Sequence, residues 1–213
     1  GWVITQDEHP ATGVEVERPL PADPDMEALL REMMAHPRGL LCKTRQLKVT
    51  WLAAWILLWD AVFHDGRHEI AQGKRLDDVK AQGDKGLMGR IRFMRRRLPE
   101  ILRPRVNRED TTMEAYDNGS TIEAIPEGES IVRSRVPSRM VMDELAFHEN
   151  GESNWNAANP AAEWLWGVTT PNGHEFIHRQ ADPGRAWDDW RGWPRIAEGL
   201  TGYTNKQGVR LLF

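Results

Sequence analysis

Arg38-Gly-Leu-Leu-Cys42, Lys43-Thr44-Arg45-Gln46-Leu47-Lys48-Val49-Thr50 and Trp51-Leu-Ala-Ala-Trp-Ile-Leu-Leu-Trp-Asp-Ala-Val-Phe63 follow one another without a break. The first segment is a short apolar run, suited to a buried strand. The last is a longer apolar run of helix formers, suited to a buried helix. Between them lies a basic, hydroxyl-bearing loop. A strand that feeds a helix through such a loop aims free backbone N–H groups and the helix dipole at one point, where a polyphosphate would sit. Thr50 opens the helix and puts a hydroxyl where a phosphate-bound Mg²⁺ could be ligated. The loop lacks the glycines of G-x-x-x-x-G-K-[ST], and only its final Thr fits that pattern. Taken alone, it also reads as a solvated basic turn after a core strand.

The rest of the chain bounds the alternatives. Its 213 residues suit one large α/β domain or a domain with a small appendage, and 40 % hydrophobic content is enough for a sizeable core. The formal net charge of −4 excludes a chain that binds nucleic acid by bulk charge, so any such contact needs a local patch. The one cysteine, Cys42, excludes an internal disulfide framework. It ends the proposed strand and reads as a small core residue rather than a nucleophile. The longest apolar run, Trp51 to Phe63, is too short to span a bilayer and contains Asp60. No secretory leader pattern is visible, and the Gly-Trp start is expected of a piece of a larger protein.

Residues 1–25 carry Pro10, Pro19, Pro21 and Pro24 and read as an irregular lead-in with a short strand at Trp2 to Thr5. Asp25 is expected to cap a helix over Met26 to Ala35, followed by the strand at Arg38. A second strand is expected over Arg67 to Gln72, with a helix beginning near Gly73. A further helix over Leu87 to Leu98 carries Arg90, Arg92, Arg95, Arg96 and Arg97 above an apolar stripe of Ile91, Met94 and Leu98. These arginines read either as a solvated face or as a patch for DNA phosphates or a neighbouring subunit's nucleotide. Asn118-Gly119 between two short apolar runs predicts a β-hairpin.

Arg139-Met140-Val141-Met142-Asp143-Glu144 is an apolar strand that delivers two adjacent carboxylates to its C-terminal end. That end is where open α/β sheets bind ligands. Asp143 can hold Mg²⁺ through its water shell, and Glu144 can polarise a water for in-line attack on a γ-phosphate. A further strand, Glu163 to Val168, runs into Thr169-Thr170-Pro171-Asn172-Gly173. Two hydroxyls at such a strand end can sense a γ-phosphate. His174 and His178 share one face of a short helix, His174 to Gln180, but have no third partner with metal spacing. The tail, with Trp187, Trp190 and Trp193 and a last strand over Gly208 to Phe213, is expected to pack as a small lid or linker over 181–213. The core then spans 1–180.

Together these motifs resemble the N-terminal ATPase domain of the large terminase subunit of tailed bacteriophages. Lys43 to Thr50 is similar to that family's deviant phosphate loop, Lys-[Ser/Thr]-x-Arg/Gln-x-Gly-x-[Ser/Thr]. Met142 to Phe147 resembles its Walker B strand, and Thr169 to Gly173 its coupling motif. The resemblance implies a P-loop NTPase of the ASCE type: a mainly parallel sheet flanked by helices, with ATP and Mg²⁺ as ligands. It further implies double-stranded DNA, the portal protein of the procapsid and the small terminase subunit as partners. A homo-oligomeric ring on the portal, no membrane partner, and a place in the cytoplasm of the infected host follow from the same likeness. By position, Lys43 would contact the β- and γ-phosphates and Arg45 would act on the γ-phosphate in cis. Thr44, Gln46, Leu47, Lys48 and Val49 would complete the ATP-binding loop. Thr50 and Asp143 would hold the metal, Glu144 would act on water, and Thr169 and Thr170 would couple hydrolysis to movement.

The chain departs from the family at Lys48, where glycine is usual, and at Val49, where some members have the phosphate lysine. The adenine-reading glutamine is not recognisable near Pro24-Asp25. The nuclease domain of full-length members would begin near Phe213; no nuclease activity is expected of this chain, because it lacks a second carboxylate cluster beyond Asp143-Glu144 and two-metal cleavage needs several acidic ligands. A helicase or other P-loop translocase is the first alternative, and a DNA-binding module that no longer uses nucleotide is the second. The hairpin and the Thr-Thr-Pro-Asn-Gly turn favour a packaging motor, and the intact Asp143-Glu144 pair speaks against decay.

Overall fold

The computed structural model describes residues 3–8, 15–44, 47–83, 85–172, 176–185 and 187–213. It begins with two antiparallel strands, β1 (Ile4–Glu8) and β2 (Glu15–Pro19), in place of the single strand expected at Trp2 to Thr5. Helix α1 (Pro24–Ala35) is capped by Asp23, whose carboxylate accepts the Met26 amide at 2.9 Å. The expected cap, Asp25, lies inside the helix because Pro24 fits the first turn, where its missing N–H is no loss. Asp25 instead accepts the Gly199 amide at 3.0 Å and ties α1 to the tail.

Next come β3 (Arg38–Cys42), α2 (Val49–Phe63), β4 (His68–Gly73), a short α3 (Leu76–Val79) and α4 (Gly86–Arg97). Three antiparallel strands follow: β5 (Val106–Asp110), β6 (Met113–Tyr116) and β7 (Thr121–Pro126). The β6–β7 pair is the expected hairpin, with Gly119 at φ 81° in its turn. β5 has no counterpart in the sequence reading, because Val-Asn-Arg-Glu-Asp is polar and mostly exposed. The remainder is α5 (Glu129–Arg133), β8 (Arg139–Asp143), α6 (Gly151–Ala158), β9 (Trp164–Thr169), α7 (Phe176–Arg179), β10 (Arg195–Ala197), β11 (Leu200–Thr204) and β12 (Arg210–Leu212). His174, from the expected helix start, lies outside the described residues.

β1 and β2 form a sheet of their own, and the other ten strands form one sheet in the order β10-β11-β12-β3-β9-β8-β4-β7-β6-β5. From β12 to β7 every neighbouring pair is parallel, and the antiparallel pairs lie at the two ends. The expected mainly parallel α/β architecture is therefore present. The tail expected as a lid or linker extends this sheet instead: β12 lies parallel beside β3, with Leu211 opposite Leu40. Its strand is apolar enough to be buried, and pairing with β3 satisfies its backbone groups. No helix of the described residues is long and apolar enough to cross a membrane.

One face of the sheet is covered by α1, α2 and α4, which meet Leu41, Ala71, Val141 and Trp166. The other is covered by α5, α6 and α7, around Leu40, Met140, Met142 and Leu165. Helix α2 has no exposed polar stripe, since most of its residues are buried. Every residue of β9 is buried. Trp166 fits because its neighbour in β3 is Gly39; a Cβ there would lie 2.3 Å from the indole ring.

A buried charge cluster sits at the opposite end of the strands from Asp143. Asp60 of α2 accepts from Arg67 at 2.8 Å and faces Arg139 at 3.1 Å, and both carboxylates of the Asp60–Glu69 pair are almost inaccessible. Burial, then the adjacent Asp60, push the Glu69 carboxyl up to about 10, so Glu69 is a neutral acid at pH 7. Arg139, Glu69 and Arg67 together outweigh the burial of Asp60 and keep it ionised. A raised folded-state value means that Glu69 supports the fold fully below its unfolded value and loses that contribution as pH rises towards about 10. The slope is at most about 1.4 kcal/mol per pH unit for one proton. Glu69→Gln, which keeps a donor towards Asp60, is expected to remove most of this slope. Urea unfolding of both proteins between pH 5 and 8 measures it, and parallel pH profiles would show that Glu69 stays ionised in the folded protein.

Candidate nucleotide site

Three parallel strands set the site. β9 pairs with β3 and β8, with Thr169 opposite Cys42 and Val168 opposite Asp143. Lys43 continues the β3 ladder by one bond, its amide donating to the Thr169 carbonyl at 2.9 Å. Lys43, Asp143, Glu144, Thr169 and Thr170 therefore emerge at one sheet edge, below the start of α2.

Glu144 is the hub. Its carboxylate accepts the Thr170 amide at 2.9 Å and the Thr170 hydroxyl at 3.0 Å, with the Thr169 hydroxyl at 3.4 Å. The other oxygen faces Lys43 Nζ at 3.4 Å. Glu144 has φ 50° and ψ 42°, a left-handed conformation that a side chain with a Cβ rarely adopts. The strain of order 1 kcal/mol is held by these bonds. They turn the carboxylate sideways towards β9 while Asp143 completes β8.

Asp143 has one carboxylate oxygen, Oδ1, that is buried and receives no hydrogen bond. Burial raises its carboxyl to about 6, against the opposing charges of Arg90 and Lys43. A buried acceptor without a donor suits a divalent cation or one of its waters. Thr50, half-buried in the first turn of α2, is the second candidate for that ion. Among the described residues no group of three or more His, Cys, Asp and Glu is arranged to hold a metal. Magnesium bound mainly through phosphates needs only one or two protein ligands, so the donor set fits.

The loop residues separate clearly. Lys43 is buried at 8 % exposure and turned to the site. Lys48 has φ 56° and its ammonium donates to the Gln6 carbonyl of β1 at 2.6 Å. Leu47 is exposed, and Val49 is buried in the first turn of α2. Arg45 and Gln46 lie outside the described residues, as does Gly173. Beside the loop, Lys43, Thr44, Lys48, Met26, Trp190 and Phe213 are among the residues lining a mainly apolar cavity of about 480 Å³. Trp190 stacks on Phe213 there at 4.4 Å.

The arginine helix is mostly not a free surface. Arg92 and Arg95 are buried and bind Glu114, each at 3.1 Å, and Arg95 also binds Glu109. Arg96 pairs with Glu109 at 2.9 Å, and Arg97 with Glu17. The expected patch for DNA or a neighbouring nucleotide is corrected for Arg92 and Arg95. The acidic partners come from β5 and β6, and β5 could not be read from the sequence.

Two further residues bear on the site. His148 is buried and its Nε2–H donates to the Asp143 carbonyl at 3.0 Å. Asn172 donates to the Ala146 carbonyl at 3.0 Å, and the Ala146 amide donates to the Thr169 hydroxyl at 3.2 Å. Nothing in the spacing of His148 or Asn172 announces these backbone bonds.

No protein-family model matches the sequence, and no curated protein matches it. Solved structures do match the fold. The ATPase domain of the Thermus phage P74-26 large terminase aligns with a TM-score of 0.58 at 17 % identity, over 85 % of this chain and 79 % of that one. The large terminase of a thermophilic bacteriophage, solved in complex with ADP, aligns at 0.56 and 15 % identity, over 74 % of this chain and 40 % of that one. The large terminase of bacteriophage HK97 aligns at 0.53 and 13 % identity, over 72 % and 34 %. The chain thus spans less than half of the last two proteins. Its fold is the P-loop NTPase-like fold of phage large terminase ATPase domains.

Cys42, at the end of β3, tests how closed this edge is. Burial pushes its thiol up to about 11, with Lys43 acting in the opposite direction. At pH 8 the thiolate is then about a hundredfold scarcer than for a free cysteine. Labelling with Ellman's reagent is expected to be slow in the native protein and complete after denaturation. Fast native labelling would show that the β3 end is open.

Proposed function

We propose that this chain is an ATP-hydrolysing motor domain of a viral terminase large subunit, which drives double-stranded DNA into a procapsid. The observation that carries the reading is Glu144, bonded to Thr170 and Lys43 at the edge where β3 enters α2. A carboxylate in that position can orient a water for attack on a terminal phosphoryl group. Lys43 is the phosphate lysine, since its ammonium faces the site while Lys48 reaches to Gln6. The fold likeness to phage terminases supports the choice of a packaging motor over other translocases.

Asp143 and Thr50 would hold a Mg²⁺, which when bound supplies positive charge to the phosphate oxygens. The apolar cavity beside Thr44 and Lys48 is large enough for the nucleoside. Arg45 completes the loop as a cis arginine. Thr169 and Thr170 couple turnover to movement, because a change at Glu144 is felt directly by the segment after β9. Full rate belongs to a ring on the portal, with the small subunit delivering DNA in the infected cell's cytoplasm. Cleavage of DNA is left to a separate nuclease domain.

Glu144→Gln is expected to lower Mg²⁺-dependent phosphate release by at least about 10²-fold and to leave ATP binding largely intact, because the carboxylate acts on water rather than on the ground state. Near-normal turnover would remove Glu144 from the mechanism. Lys43→Ala is expected to weaken nucleotide binding more than Lys48→Ala. Fluorescent-nucleotide titration decides this, and the reverse order would move the phosphate role to Lys48.

A further inference from the structure

Arg90 differs from the arginines that follow it on α4. Arg92, Arg95, Arg96 and Arg97 each bind a glutamate. Arg90 has no hydrogen bond or ion pair with any described residue. Its guanidinium lies over the Trp51 ring at 5.6 Å from the centroid. Trp51 adjoins Thr50 in the first turn of α2 and meets Phe93 in an edge-to-face contact at 5.5 Å. The ring therefore holds the Arg90 guanidinium beside the first turn of α2, where phosphate is expected.

The charge most strongly felt by Arg90 is that of Asp143, which acts against a burial that disfavours the guanidinium. Yet no ion pair joins them, and Asp143 Oδ1 is itself without a donor. A half-buried cation and a buried acceptor, neither partnered among the described residues, suit a ligand that carries anionic oxygens and a bound cation. A guanidinium left without an acceptor is costly, and its planar fork matches a phosphoryl group.

We propose that Arg90 is a catalytic arginine acting in cis, donating to an oxygen of the terminal phosphoryl group of the nucleotide in its own subunit. This rests on the ATPase reading above. It places Arg90 neither on DNA nor in a neighbour's site. The guanidinium takes up charge that develops on the equatorial oxygens as the bond to the β-phosphate breaks and water adds.

The test uses Arg90→Ala and Arg90→Gln, the latter keeping a polar stem over Trp51. Turnover is expected to fall about 10²–10³-fold, the usual loss for one preorganised donor. Affinity for a non-hydrolysable ATP analogue is expected to fall, with ADP affinity unchanged, because only the terminal phosphoryl group is touched. Adding Glu144→Gln subunits, which retain Arg90, is expected not to restore turnover. Near-normal turnover in either variant, equal loss of ADP and analogue affinity, or rescue by Glu144→Gln subunits would each overturn the cis assignment. In the first and last cases the ATPase reading would stand. Absence of turnover in the unmodified chain, alone and with DNA, would overturn that reading and this inference with it.

Discussion

The burial of β9 between β3 and β8 is the constraint on which the rest depends. All its side chains are enclosed, and both its backbone edges are paired. Glycine makes room on both sides: a Cβ on Gly39 of β3 would meet Trp166 at 2.3 Å, and one on Gly167 of β9 itself would meet Leu145 and Leu40 below 3 Å. A strand packed this tightly has one register. That register sets Cys42 opposite Thr169 and Asp143 opposite Val168, so residues far apart in sequence end at one level. Interior packing, which is about core stability elsewhere, here fixes the geometry of the edge.

At that edge the backbone turns in a way that a glutamate seldom tolerates. The φ of 50° at Glu144 is what sends its carboxylate to Thr170 instead of along the strand. Thr169 and Asn172 then bind Ala146, two residues further on. The segment after β8 and the segment after β9 are therefore one hydrogen-bonded unit. Glu144 thereby joins the end of β8 directly to Thr170 and to Lys43 at the end of β3.

Much of this was legible in the sequence, for identifiable reasons. β3, α2, β8 and β9 are long or strongly apolar segments, and their ends carry polar residues that only a sheet edge accommodates. The β6–β7 hairpin followed from Asn118-Gly119, where φ is positive. What failed depended on contacts across the fold. β5 is polar because its residues serve the arginines of α4, and those arginines looked like a surface because their partners are distant in sequence. The tail looked like a lid because a three-residue strand has too little pattern to announce its pairing with β3. Asp25 looked like a cap because Pro24 shifts the helix start towards Asp23.

The loop's missing glycine has a structural answer. Where the terminase pattern has glycine, this chain has Lys48 in the left-handed conformation that glycine adopts freely. A lysine there costs of order 1 kcal/mol. The cost is offset locally, since the Lys48 ammonium donates to the Gln6 carbonyl at 2.6 Å. The N-terminal hairpin thus props the loop in the shape that glycine would otherwise supply. The same bond takes the Lys48 ammonium to β1 and leaves Lys43, fixed by its own amide to Thr169, as the buried ammonium facing Glu144. Loop shape and lysine choice are therefore one substitution seen from two sides: the residue that imitates glycine in its backbone commits its side chain elsewhere.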